Sequence, residues 1–136
     1  MNAQAIVFQS PLQLSVRTLP LRDPAPGDLV VEVQHNGIST GTERLLWDGS
    51  MPPFPGMGYP LVPGYETVGR VLSAPDDSRI RPGDTVFVPG SHSFHGVHNL
   101  FGGAASHLRV DAARVVPVRP ELGEQAVLLG LAATAY

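Results

Sequence analysis

A small, mainly β fold is predicted, a barrel or sandwich of short strands, and three observations carry that prediction. Short runs of apolar and polar alternation recur along most of the 136 residues. Glycine and proline, 15 and 14 residues respectively, cluster between those runs as turns. Only two stretches, one near residue 43 and one at the C-terminus, carry helix-like order. This length holds one domain with its own core.

Ala5-Ile6-Val7-Phe8 opens the set of strands. Leu12-Gln13-Leu14-Ser15-Val16 alternates with period two, as a half-buried strand does. Asp23 to Asp28 is a turn cluster, and Leu29–Gln34 follows as a strand. Thr42–Trp47, ahead of Gly49, predicts one or two helical turns with an acidic first turn. Thr67–Leu72 is the next strand, Arg81–Asp84 a turn, and Thr85–Val88 a strand again. Residues 89–105, rich in Gly, His and aromatics, show no period and predict a long loop of the kind that carries function. Ser106–Val110 and Val115–Val118 complete the strands. Pro120–Gln125 predicts a helix start and Ala126–Tyr136 its continuation, with no C-cap signal. An apolar helix without a stop is expected to lead into a further domain.

Composition excludes several classes. A formal charge of −3, with signs interspersed, gives no basic surface for nucleic acid. With no Cys there is no disulfide, thiolate metal site or Cys nucleophile. No apolar run approaches the roughly 20 residues of a membrane span. The start Met1-Asn2-Ala3-Gln4 lacks the basic residues of a signal peptide. A cytoplasmic location is expected, with peripheral membrane contact left open.

Pro26-Gly27-Asp28 before a strand, Gly37-Ile38-Ser39 before the short helix, Val62-Pro63-Gly64-Tyr65-Glu66 before a strand, Pro82-Gly83-Asp84 and Gly103-Ala104-Ala105-Ser106-His107 follow in order along the chain. Together they resemble the medium-chain dehydrogenase/reductases over nearly the whole sequence. That resemblance implies a GroES-like, partly open β-barrel with short helices and a truncated C-terminal helix. It places a substrate-binding and catalytic domain over residues 1–120. It makes residues 121–136 the start of a helix linking to a Rossmann NAD-binding domain outside this chain. Gly37–Trp47, Met51–Glu66 and Phe101–Ser106 are similar to one branch of that family. Its members oxidise the 3-(1-hydroxyethyl) side chain of a bacteriochlorophyllide to a 3-acetyl group with NAD, a late step of bacteriochlorophyll synthesis. The implied partner is a tetrapyrrole, and the domain by itself is expected to be inactive and monomeric. No Gly-x-Gly-x-x-Gly follows a strand here, so no cofactor-binding residue is expected in this chain.

Two departures bear on mechanism. Zinc-dependent relatives carry Cys where this chain has Ser39, and His-Glu where it has Tyr65-Glu66. Hydroxyls are not usual zinc ligands, so no zinc is expected. The resemblance puts Thr42 at a hydroxyl position that begins a proton relay from the alcohol, and Ser39 and Tyr65 where ligands would face the same oxygen. These three are the candidate catalytic residues. Glu66 and His35 are expected behind them as support.

For substrate, Trp47, Met51, Phe54, Met57 and Tyr59 lie on a Pro- and Gly-rich stretch that predicts an apolar wall for a flat ring. The alternative is a cover packed on the barrel. His92, His95 and His98, with Pro89, Gly90 and Gly96 around them, predict loop imidazoles, one of them available to a substrate metal or propionate, ahead of a structural metal site. Arg44 is expected on a helix surface. The rival functions are a zinc-free quinone or enone reductase-like domain and a non-catalytic tetrapyrrole-binding module.

Overall fold

The computed structural model describes residues 1–136, and its nine strands form two sheets. The first contains β1 (Asn2–Ser10), β2 (Gln13–Pro20), β4 (Leu61–Pro63) and β7 (His98–Leu100), in the order β2-β1-β4-β7. The second contains β3 (Asp28–Asn36), β5 (Thr67–Ser73), β6 (Thr85–Val88), β8 (His107–Asp111) and β9 (Val116–Pro117), in the order β8-β3-β5-β6-β9. Pairing is antiparallel except between β4 and β7. The chain just before β8 closes one side: Ile6 N–H donates to Ala104 O at 2.9 Å and Ser106 N–H to Gln4 O at 2.8 Å. The result is the predicted mainly β, GroES-like, partly open barrel.

Alternation in β1 explains the core. Ala3, Ala5 and Val7 point inward and join Leu29, Val31, Val71, Val86, Val88, Leu108 and Val110 in the main cluster. Ile6 and Phe8 take the other face, opposite Val16 and Leu14 of β2. Leu14 and Val16 stay 51% and 62% exposed because β2 pairs only with β1 and lies at the sheet edge. The strand forms as expected, but Leu14 and Val16 lie away from the main core, which β2 reaches only through Leu19. Phe8 instead seeds a second cluster with Leu46, Leu61 and Leu100.

Two Pro-Gly-Asp turns are built alike. Asp28 accepts from Ala25 N–H at 2.7 Å and Asp84 from Arg81 N–H at 2.8 Å, each carboxylate closing its own turn. Gly27 and Gly83 sit at φ 87° and 95°, the left-handed region that disfavours side chains with a Cβ.

Two local expectations change. The long loop contains β7, whose residues gain ladder partners only through parallel pairing with β4, itself too short to show a period. The C-terminal helix is not continuous. A 3₁₀ segment spans Pro120–Leu128, broken at Gly123 (φ 51°, ψ −131°), and α2 covers Leu129–Ala135. Ala126 packs on Val68 and Phe87, while Leu128 and Leu131 are each 54% exposed. No helix is long and apolar enough to cross a membrane.

Candidate active site: three hydroxyls beside an apolar cavity

α1 (Thr40–Asp48) begins immediately after Ser39, whose φ −76° and ψ 93° are those of an N-cap. A serine there normally gives its oxygen to a backbone N–H of the first turn. Ser39 makes no such bond. Its Oγ instead accepts from the Tyr65 hydroxyl at 2.5 Å, and the same Tyr65 oxygen lies 3.1 Å from Thr42 Oγ1. A capping interaction worth about 1 kcal/mol is thus given up for a side-chain cluster. Tyr65 is presented by the turn between β4 and β5, and its ring is braced edge-on by Phe101 (centroids 5.4 Å apart, 83° between planes). The structure therefore brings together the three candidate catalytic residues.

Thr42 and Tyr65 open onto a cavity of about 410 Å³ whose other walls are Met51, Phe54, Pro89 and Phe101. Of the predicted apolar wall, Met51 and Phe54 reach it. Trp47 packs edge-on against Phe8 (5.7 Å, 66°) and faces a larger cleft flanking α1. Met57 and Tyr59 pack against the Phe8 cluster, and the Tyr59 hydroxyl donates to Leu46 O. Burial, with the Asp48 charge adding, holds the Tyr59 phenol above its ordinary pKa, so it remains a donor.

The loop histidines do not converge; no three His, Asp or Glu side chains gather at metal-binding distance. His92 and His95 are exposed. The His98 ring lies against Gly58, where a Cβ would come within 2.5 Å of its Nε2, and its Nδ1 is 3.0 Å from Gly56 O. It ties the segment behind Phe54 to β7. His35, partly buried, is the next-to-last residue of β3, opposite Val68, and Arg44 is exposed.

Pro89 and Phe101 complete the cavity, although the sequence reading did not place either among the site residues. Glu43 was also missed, read there only as an acidic first-turn residue. Its side chain is 9% exposed and Glu66 is 5% exposed; Glu43 Oε2 and Glu66 Oε1 have no hydrogen-bond partner. Burial pushes the Glu43 carboxyl above its ordinary pKa; backbone N–H groups at Ser39 and Glu43 oppose this, and the Glu66 charge adds to it.

Chemically, three neutral hydroxyls can donate to an alcohol oxygen, accept from it and relay a proton by reorienting. They do not make a zinc site: that ion takes thiolate, imidazole or carboxylate, and these hydroxyls already satisfy one another.

The sequence profile of the alcohol dehydrogenase GroES-like domain matches residues 25–120. The chain belongs to the alcohol dehydrogenase GroES-like domain family. Two curated relatives in that family, from Rhodobacter capsulatus and Cereibacter sphaeroides, are each named 2-desacetyl-2-hydroxyethyl bacteriochlorophyllide A dehydrogenase. They are 52% and 51% identical over 99% of this chain, which spans 43% and 44% of their lengths, less than half of either. A solved dehydrogenase of Sinorhizobium meliloti 1021, described as zinc-binding and bound to NADP, is 26% identical with a TM-score of 0.72; the match covers 94% of this chain and 42% of that one. The GroES-like domain thus resembles bacteriochlorophyllide dehydrogenases in sequence and a dehydrogenase described as zinc-binding in fold.

Proposed function

We propose that this GroES-like domain is the substrate side of a dehydrogenase that oxidises the 3-(1-hydroxyethyl) group of a bacteriochlorophyllide to 3-acetyl, with NAD and without zinc. One observation carries the proposal: the Tyr65 hydroxyl bridges Ser39 and Thr42 beside a cavity otherwise walled by Met51, Phe54, Pro89 and Phe101. The names of the two relatives support the choice of substrate.

The cavity, about 410 Å³, is at the small end for a ligand site. It suits the hydroxyethyl edge of a macrocycle, not the whole ring system. The rest of the flat ring then lies over Phe54, 39% exposed, and Phe101, 44% exposed. Thr42 and Tyr65 are the polar groups on that wall, so they orient the substrate hydroxyl. Hydride acceptance belongs to the nicotinamide, for which this chain carries no phosphate-binding glycine motif. What this chain does is hold the alcohol oxygen, keep apolar surface around it and pass its proton along the Thr42–Tyr65–Ser39 cluster to solvent water as hydride leaves. The macrocycle helps, because an electron-rich conjugated ring spreads the positive charge that develops as hydride leaves.

The test is the full-length dehydrogenase containing this chain, freed of metal by chelation and supplied with a 3-(1-hydroxyethyl) bacteriochlorin and either NAD or NADP. Coenzyme reduction coupled to formation of the 3-acetyl pigment is expected, at a rate unchanged by chelation. A protein that binds the pigment but never oxidises it is a binding module instead.

A further inference from the structure

The stretch of chain that brings Phe54 to the cavity has little to hold it. Pro52, Pro53 and Pro55 carry no N–H, so residues 52–58 offer few backbone donors. The flanking residues are fixed to α1: Met51 N–H donates to Leu45 O at 3.1 Å, and the Tyr59 hydroxyl donates to Leu46 O. Between those anchors, Met57 N–H donates to Phe54 O at 3.0 Å and closes a four-residue turn, with Pro55 second and Gly56 third at φ 88°. That is the residue pattern of a type II turn, whose third position needs positive φ. Phe54 opens this turn, so where the turn lies decides where that wall of the cavity stands.

One hydrogen bond from outside reaches residues 52–58. His98, the first residue of β7, has its Nδ1 3.0 Å from Gly56 O. A carbonyl only accepts, so this ring nitrogen is the one that carries a hydrogen. The His98 backbone is itself fixed, by its N–H on Pro60 O at 2.8 Å and by pairing with Leu61. The ring lies on residue 58, where a Cβ would come within 2.5 Å of Nε2, so only glycine leaves it room. The three hydroxyls bond one another and not His98. We propose that His98 is a positioning residue for the substrate: through Gly56 it fixes the turn that carries Phe54, and so sets how well the cavity holds the flat ring, without acting on the alcohol that reacts. The proposal rests on the reading of this cavity as the seat of a hydroxyethyl-bearing macrocycle. Ring binding then belongs to the turn held by His98, and the chemistry to Thr42, Tyr65 and Ser39.

Two measurements test it. In this chain, ¹⁵N NMR at a pH where the His98 ring is neutral reads which nitrogen is protonated, and amide exchange reads the Met57 N–H. Hydrogen on Nδ1 is expected, with Met57 exchange about fivefold faster in His98→Ala, the scale of one lost hydrogen bond. Hydrogen on Nε2 instead, or Met57 exchange unchanged in His98→Ala, would overturn the proposal, and neither reading needs a substrate. In the full-length dehydrogenase with a 3-(1-hydroxyethyl) bacteriochlorin, His98→Ala is expected to raise KM about fivefold with kcat unchanged. Gly58→Ala, which pushes the ring off Gly56, should do the same. His98→Asn, whose amide stands near the place of Nδ1 and can donate, should restore KM. A fall in kcat with KM unchanged, or His98→Asn no better than His98→Ala, would overturn the positioning role. A dehydrogenase that oxidises no such pigment would overturn the proposed function instead, and the ring nitrogen and Met57 exchange would still decide whether His98 holds the turn.

Discussion

Tyr65 is the residue on which the site turns, because it alone contacts both Ser39 and Thr42. Tyr65→Phe keeps the ring against Phe101 and removes only the shared hydroxyl. In the full-length dehydrogenase it is expected to lower kcat by about 10²-fold or more, the scale of a lost acid–base group, with the fold retained by circular dichroism. Undiminished turnover would remove Tyr65 from the mechanism. Ser39→Ala should cost less, because the Thr42–Tyr65 contact remains and Tyr65 is freed to donate to Thr42. The trio was legible in the sequence through its resemblance to a family whose relay hydroxyl stands at Thr42 and whose ligands stand at Ser39 and Tyr65. Glu43 was not. An acid in a first helical turn reads as a solvated dipole partner, and nothing local in the sequence marks this one as buried.

At the scale of elements, α1 is held by Leu46, 1% exposed and packed with Phe8, Leu61 and Leu100. Leu46→Ala is expected to destabilise the chain by about 2–5 kcal/mol in urea unfolding, the range for a buried Leu truncation. The Pro-Gly-Asp turn before β6 gives a smaller effect: Asp84→Ala removes the bond to Arg81 N–H and should cost about 1 kcal/mol. Both turns were visible in the sequence because proline fixes its φ and glycine tolerates the positive φ each turn needs. The β4–β7 pair was not, since three residues carry no period and the pairing depends on chain distant in sequence. The break in the C-terminal helix follows the same logic, with Gly123 at positive φ and Ala126 docked on β5 and β6.

Across the whole molecule, Arg22 and Asp28 pin the loop after β2 to the start of β3 through two hydrogen bonds of 2.7 Å. Burial pushes the Asp28 carboxyl up, but the Arg22 hydrogen bonds, the Ala25 N–H and the Arg22 and Arg109 charges outweigh it, and its pKa falls below the ordinary value. A lowered folded pKa gives stability that is complete above the unfolded value of about 3.9 and is lost as pH falls through the folded one. Asp28→Asn should therefore lower stability at pH 7 and flatten the acid limb of the unfolding profile below about pH 4. Glu43 has the opposite sign: its raised pKa favours folding at low pH, and that contribution is lost as pH rises through the folded value. The central claim, that the Tyr65 cavity takes the hydroxyethyl edge of a tetrapyrrole, is tested most directly by titrating this chain with a 3-(1-hydroxyethyl) bacteriochlorin and following pigment absorbance and Trp47 emission. Saturable binding is expected, weakened about tenfold, or about 1.4 kcal/mol, by Phe54→Ala and by Tyr65→Phe. No saturable binding, or binding that neither substitution weakens, would contradict it.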